Sequence, residues 1–366
     1  MTKKILLLGG DGYIGWPLAM HLANLGHSVS ICDNFNKRKW ELEIGVKPLY
    51  SVPTLHERVA WWNKANEDHI DIIVGDISNQ RYVYDAFSYI PDIVINCADQ
   101  PSSPFSMKGI NTAGTTQSNN IASGLNILFA IKKYCPEALY IRLGANALID
   151  FENPGSVNVH HCSSFYEISK LNDCNNIYFA AKNWGLTAVV INTGVVYDDR
   201  TSETMLNSKL KTSFHYDRVF GTIVNRFCVQ AILGTALTIF GDGTQQCSVS
   251  TLQETVTNIG EIVEQQEHLT GKCTIVNRFA QVLTVQEIAE SVKRAAAGLG
   301  LEVEFQFLEN PRLELIKIRN EVLVSSGERK GLLCSEPLEE LLKKIVEYRN
   351  TILPDTILPV IQWSVD

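Results

Sequence analysis

Two groups of residues in this 366-residue chain have the types and spacing to do chemistry. Tyr166-Glu167-Ile168-Ser169-Lys170 sets a phenol and an ammonium at i and i+4, which on a helix puts both on one face. A lysine one turn from a tyrosine stabilises the phenolate and lowers its pKa from ~10 toward neutrality. Such a pair is a general base for a hydroxyl. Found alone it is more often a packed tyrosine beside a surface lysine, so its weight depends on its company.

That company stands far upstream, in Gly9-Gly10-Asp11-Gly12-Tyr13-Ile14-Gly15. Glycines at i, i+3 and i+6 fall between a strand pattern and a helix pattern. Gly9 permits the tight turn, and Gly12 lets backbone approach a pyrophosphate. Gly15 lets helix and strand pack closely, with Tyr13 and Ile14 opening the helix whose N-terminus faces the phosphates. Asp33 ends the next strand, where a carboxylate bonds ribose hydroxyls and repels a 2′-phosphate. The two features in register predict a dinucleotide site that takes NAD rather than NADP. Asp76, after the third strand, is a candidate for the adenine edge, and Cys97-Ala98, after the fourth, for backbone contacts to the cofactor.

The elements that must position these residues alternate in type. Strand patterns cover 4–8, 28–32, 70–74, 93–96, 139–143 and 188–191. Helix patterns cover 14–25, 54–64, 80–89, 124–134 (starting near Asn111) and 164–184. This rhythm predicts an α/β fold, a Rossmann-like doubly wound parallel sheet with right-handed crossovers. Beyond residue 193 it becomes irregular, with helices expected at 221–233, 252–265, 285–299 and 338–350 and a strand at 237–240. The expected division is a NAD-binding domain over 1–193, to which segments near 220–245 return, and a smaller mixed α/β substrate domain over 194–366.

Composition sets the outer limits. A hydrophobic fraction of 45% with 20% charged residues is ordinary for a globular chain. Thirty-two basic residues against 40 acidic ones give a net charge of −8, which argues against nucleic acid or an anionic membrane as partner. No apolar run nears the ~20 residues needed to span a bilayer. Met1-Thr2-Lys3-Lys4 leads into too short an apolar run for a secretory leader. Nine scattered cysteines without Cys-x-x-Cys read as buried thiols, so the expected location is the cytoplasm or another reducing intracellular compartment. His160-His161-Cys162 has no further ligand at helical spacing, and no metal is expected.

The chain resembles the extended short-chain dehydrogenase/reductase family of nucleotide-sugar epimerases and dehydratases. The residues that carry the resemblance are Gly9–Trp16, Asp33-Asn34, Gln100-x-Ser-x-Pro-x-Ser-Met107, Asn119–Lys132 and Ser163–Tyr166 with Lys170. Gly194–Tyr197 and Val219–Gln230 extend it, and the last is far more specific than the glycine motif. The likeness spans nearly the whole chain and is greatest to the branch that builds a sulfonated nucleotide sugar. It implies a tightly held NAD, oxidation of the sugar at C4, loss of water across C5–C6, addition of sulfite and return of hydride. It implies Tyr166 as the C4 base, Lys170 on the nicotinamide ribose and Asn120 near the nicotinamide. It also implies Asn34, Ile77 and Val195 beside the cofactor, and Gln100, Asn192, Asn225, Arg226 and Gln245 at the substrate. A homodimer through helices 111–134 and 164–184 follows from the same likeness.

The departures concentrate at the chemistry. The family's threonine that bonds the reacting oxygen is Ala145, and no glutamic acid follows where the dehydration acid is expected. Pro101 replaces an arginine, Glu167 a histidine, and Cys247 the arginine for the substrate diphosphate, while Ser250 and Glu254 replace aspartates. Three readings follow: an NAD-dependent enzyme with a changed small-molecule substrate, a scaffold that keeps NAD as a structural ligand, and an unchanged sulfonating enzyme. The intact Tyr–Lys pair favours the first.

Overall fold

The computed structural model describes residues 1–67, 69–145, 162–265, 271–310 and 332–358. The segment expected to hold the dehydration acid, after Ala145, lies outside them, as do His160 and His161. In chain order the first elements are β1 (Lys4–Leu8), α1 (Gly15–Asn24), β2 (Ser28–Asp33), α2 (Asn36–Glu43), α3 (Leu55–Ala65), β3 (Ile70–Val74) and α4 (Gln80–Phe87). There follow β4 (Ile93–Asn96), α5 (Ser103–Ser106), α6 (Ile110–Gln117), α7 (Ser123–Tyr134), β5 (Leu139–Leu143), α8 (Phe165–Trp184) and β6 (Ala188–Thr193). The remainder is β7 (Val195–Tyr197), α9 (Ile223–Leu233), β8 (Leu237–Phe240), β9 (Gln246–Thr251), α10 (Leu252–Glu264), β10 (Cys273–Arg278), β11 (Gln281–Thr284), α11 (Val285–Ala297), β12 (Phe305–Leu308) and α12 (Ser335–Glu347).

Among the described residues, seven parallel strands form the central sheet in the order β10-β6-β5-β4-β1-β2-β3. The pleat sends alternate side chains to opposite faces. Ile5 and Leu7 of β1 pack under α1, α3 and α10, while Leu6 and Leu8 pack under α4, α7 and α8. Both faces are therefore covered, which is why β1, β4, β5 and β6 read as apolar runs. The order reverses beside β1, so the crevice at the carboxyl ends of β1 and β4 is the place for a ligand.

The glycine loop locks this geometry. Gly9 sits at φ +87°, and a Cβ there would lie 2.7 Å from the Ala98 nitrogen. A Cβ on Gly15 would lie 2.0 Å from the Gly9 carbonyl oxygen, so only glycine lets α1 start this close to β1. Elsewhere helix starts follow capping chemistry. Thr54, Thr251 and Thr284 pair with Glu57, Glu254 and Glu287 as capping boxes. Ser164 caps α8, and Gly185 ends it in the left-handed conformation at φ 74°.

Several expectations need correction. α2 forms between the strand pattern ending at 32 and the helix pattern starting at 54, where no element was expected, and is anchored by buried Trp40. The strand β10 adds a seventh member to the central sheet by pairing with β6, Asn277 opposite Asn192. Its residues are all half-buried and polar at both ends, which hid its periodicity. β9 is flanked by β7, parallel, and β11, antiparallel, in a separate three-stranded mixed sheet. Much of residues 220–245, expected to return to the first domain, shares a core cluster with the C-terminal helices. Val224, Phe227 and Ala231 of α9 pack with Ile288 and Val292 of α11 and Leu341 and Ile345 of α12, and β8 pairs with β12. No described helix is long and apolar enough to cross a membrane.

Gly15→Ala should destabilise the protein by about 1–3 kcal/mol, because the methyl meets backbone on a packed strand–helix junction. A urea titration in which the variant keeps the wild-type midpoint would show that α1 can move away at no cost.

Candidate active site

A cavity of about 660 Å³ opens at the carboxyl ends of the strands, inside the range of small-molecule sites. One flank is the glycine loop, with Gly9, Gly12, Tyr13, Ile14 and Gly15 all on its wall. Asp33, Asn34, Ile77, Cys97, Ala98 and Val195 line it too. The Asp33 carboxylate accepts from the backbone nitrogens of Asp11 and Phe35, both at 2.8 Å. These two bonds fix its orientation, although burial raises its pKa. Asp76 stands between the wall residues Gly75 and Ile77 without lining the cavity itself, and its Oδ1 accepts from the Ser78 nitrogen at 2.9 Å and hydroxyl at 2.7 Å. An aspartate two residues before a serine is a turn-maker, and that local bond wins.

The two basic residues nearest Asp33 are already occupied. Arg38 forks onto the Asp11 carboxylate at 2.6 and 2.9 Å and donates to the carbonyls of Val52 and Pro53. Arg58, fully buried against the Trp16 ring, donates to the same carboxylate at 2.5 Å. Lys37 donates to Glu41 at 2.5 Å, and His215 joins Glu41 to Asp217. Glu41 is drawn down to about 2: burial opposes ionisation, but His215 and Lys37 outweigh it.

At the opposite flank Tyr166, Lys170 and Ala145 line the cavity. α8 carries the pair as its spacing requires, with the Lys170 ammonium 5.9 Å from the Tyr166 ring centre. The ammonium, however, is held elsewhere. Lys170 Nζ donates to Asp99 Oδ2 at 2.5 Å and to the Leu143 carbonyl at 2.6 Å. Asp99 also takes a two-pronged bond from Arg142 at 2.8 and 2.6 Å, and Arg142 Nε reaches Asp173. These four charged groups are almost wholly buried between β4, β5 and α8. The expected low phenol pKa is therefore overturned. Burial raises the Tyr166 pKa, Asp99 and Glu167 push the same way, and Arg142 opposes them. Burial and Arg142 lower the Lys170 pKa against the pull of Asp99. Asp99 stays ionised near 2, because Arg142 and Lys170 outweigh its burial.

Asn120 and Gln100 are braces rather than wall residues. Asn120 accepts from the Gln100 nitrogen at 2.9 Å and donates to the Ser169 hydroxyl at 2.9 Å, tying the loop after β4 to the turn between Tyr166 and Lys170. Asn192 is fully buried as well and donates to Asn277 at 3.1 Å. Neither Asn120, Gln100 nor Asn192 reaches the cavity surface. Asn225, Arg226, Gln245 and Cys247 do, beside Arg218 and Thr222. Asn225 accepts from the Asp198 nitrogen at 3.1 Å. Burial alone pulls the Arg226 guanidinium down to about 10, and among the described residues no carboxylate pairs with it. Among the described residues, the buried atoms Arg226 Nε, Thr222 Oγ1, Gln245 Oε1 and Gln246 Oε1 have no hydrogen-bond partner. Unpaired polar atoms at one end of a cavity are the mark of a polar ligand.

Residues 5–249 match the model of the NAD dependent epimerase/dehydratase family. The chain belongs to that family. It is 33% identical, over 99% of its length and 79% of the relative's, to UDP-sulfoquinovose synthase, chloroplastic, of Spinacia oleracea. The UDP-sulfoquinovose synthase of Sulfolobus acidocaldarius is 32% identical, covering 98% of this chain and 97% of that one. UDP-glucuronic acid 4-epimerase of Bacillus cereus, solved with UDP-glucuronic acid and NAD, shares the fold. The TM-score is 0.63 at 18% identity, over 95% of this chain and 99% of that one. The protein is thus an NAD-dependent enzyme of the extended short-chain dehydrogenase/reductase type. The glycine cradle, in which no Cβ fits at Gly9 or Gly15, and the fixed Asp33 carboxylate suit that cofactor. When bound, NAD supplies a hydride acceptor; the chain supplies position, charge and a proton-bearing phenol.

NAD(H) should bind at least about tenfold more tightly than NADP(H), because Asp33 repels a 2′-phosphate while Asp11 keeps Arg38 from answering it. Calorimetric titration with both cofactors checks this, and equal affinities would mean that Arg38 leaves Asp11 for the phosphate.

Proposed function

We propose that this enzyme uses Tyr166 to take and return a hydroxyl proton while hydride moves between substrate and NAD, on an anionic substrate that differs from that of the sulfonating relatives. The observation that carries the reading is the shared cavity. The glycine loop, Asp33, Tyr166 and Lys170 face one space, and an unneutralised arginine stands at its other end. Arg226, with Arg218 beside it, takes the role that the family's arginine would have at Cys247 and grips a phosphate or diphosphate. Thr222, Gln245 and Gln246 pair with the polar atoms next to that group. Ala145 gives the reacting oxygen no hydroxyl, so Tyr166 works alone, through a water, or on a substrate that brings its own hydrogen bond. Glu167 offers sulfite no positive charge; its Oε2 instead accepts from Ser163 at the start of α8.

The reading extends to assembly. α7 and α8 leave Phe129, Tyr178 and Phe179 about half exposed (48, 61 and 56%), and Phe129 and Phe179 both lean on Trp184. An aromatic stripe across two adjacent helices fits a second copy of the chain in a homodimer.

UDP-glucose, sulfite and NAD together should yield no sulfonated sugar, and formation at about 1 per second or more would restore the unchanged activity. Arg226→Ala should weaken UDP binding by about 2 kcal/mol or more, roughly thirtyfold. Unchanged UDP affinity would remove Arg226 from the site. Tyr166→Phe should leave NAD bound and abolish NADH formation with any substrate the wild type oxidises. Unaltered turnover in that variant would remove Tyr166 from the proton transfer. Phe129→Asp with Tyr178→Asp should give a monomer by light scattering, where an unchanged mass would exclude this face.

A further inference from the structure

Asp99 has been given no part in the proposed chemistry, yet it holds Lys170, one member of the Tyr–Lys pair. Its carboxylate lines the cavity, holds the Lys170 ammonium at 2.5 Å, and is gripped from behind by Arg142. Arg142 is itself immobilised, by Asp173 on one side and by the Asn96 carbonyl at 3.2 Å on the other. The arrangement is asymmetric. Asp99 has one fixed cation, bonded through both oxygens, and one cation on a flexible four-carbon stem bonded through a single oxygen. Losing the lysine leaves Asp99 still paired, so Lys170 is the partner that can be exchanged.

We infer that Asp99 is a positioning residue that sets the proton affinity of Tyr166 by deciding where the Lys170 charge is spent. While the ammonium lies on Asp99 it neutralises that carboxylate rather than the phenol, and Tyr166 remains protonated. When Lys170 turns to another acceptor in the cavity, Asp99 falls back on Arg142 alone. The groups facing Tyr166 are Asp99 from the end of β4, Arg142 from β5, and Glu167 and Lys170 from its own helix, with Asp173 acting through Arg142. Burial raises the Tyr166 pKa, and the negative charge of Asp99, which holds the Lys170 ammonium at 2.5 Å, disfavours the phenolate further. Removing that carboxylate both lifts the repulsion and frees the ammonium, so the Tyr166 pKa should fall.

This inference rests on Tyr166 being the proton-handling group, but its test needs no substrate. Tyrosinate absorbance near 295 nm (about the usual band) is followed against pH in the NAD-free protein, and the same curve from the Tyr166→Phe background is subtracted, which isolates the one phenol. In the wild type Tyr166 should contribute nothing up to about pH 11, above the ~10 of a free tyrosine. In Asp99→Asn its titration should fall by about two units or more, far enough to come into view below about pH 11, and Asp99→Glu should restore the silent behaviour. A role confined to stability would lower the melting temperature of Asp99→Asn without bringing Tyr166 into view. A folded Asp99→Asn whose Tyr166 stays silent overturns the inference. Should that variant not fold, Asp99→Ser is titrated in its place. Its Tyr166 should likewise come into view below about pH 11, and a folded Asp99→Ser whose Tyr166 stays silent overturns the inference equally. If turnover by Tyr166 fails while this titration holds, the substrate reading is wrong and the Asp99 assignment stands.

Discussion

Four ionised side chains buried within one layer of the fold constrain much of what surrounds them. Asp99, Arg142, Lys170 and Asp173 are each less than a tenth exposed, and each has water replaced by a partner of opposite sign. Desolvating ions costs several kcal/mol apiece, and attraction repays this only when geometry is good and the remaining donors are satisfied. Here two strands and one helix must therefore keep a fixed mutual position. Arg142 projects from β5 into the space between the end of β4 and α8, and Asn96 lends it a carbonyl. Gly124 completes the fit, since a Cβ on it would lie 2.0 Å from Asp173 Oδ1. The helix pair α7–α8 thus closes over the charge cluster at a residue that has no side chain.

The same economy governs the other flank of the cavity. Asp11, inside the glycine loop, gathers Arg38 and Arg58, and Asp33 fixes the loop by accepting from the Asp11 nitrogen. Positive charge is abundant around the cavity, but it is paired at the nucleotide flank and at Lys170. It is unpaired at Arg226. Burial lowers the proton affinity of that guanidinium to about 10, a high enough value to keep it charged at neutral pH. A field from a cation without a carboxylate partner in a low-dielectric wall is stronger than that of the same charge in water.

Much of the nucleotide flank was legible in the sequence because its signals are local. Glycine spacing, a strand ending in Asp33 and a Tyr–Lys pair on one helix each lie within a few residues, and the structure puts all of them on one cavity. Six strands of the central sheet read correctly, four of them, β1, β4, β5 and β6, because cover on both faces makes them apolar runs. What escaped was non-local. Arg142 is visible as a charge inside the apolar run Leu139–Leu143, but its partners Asp99 and Asp173 are 43 and 31 residues away. Nothing in spacing could show that Asp99 would claim Lys170 ahead of Tyr166. Gln100, Asn120 and Asn192 were expected at the ligands from the family resemblance alone. Packing turned them inward, where polar side chains cross-link loops. β10 escaped for a related reason, its place in the sheet being set by pairing with a strand more than 80 residues earlier.

Between α6 and α7 the helix widens for five residues, Ser118–Ala122, into a π turn that contains Asn120. A π turn carries one residue more than the α-helical turns around it. Straightening it by deleting a single residue would swing everything on one side by about 100° around the axis, the angular step of an α-helix. Asn120 could then not face Gln100 and Ser169 together while Ala113 and Thr116 kept their buried side. The chain length of this stretch is therefore as restricted as its residue types. Single-residue insertions and deletions here should be selected against more severely than most substitutions on the same helix.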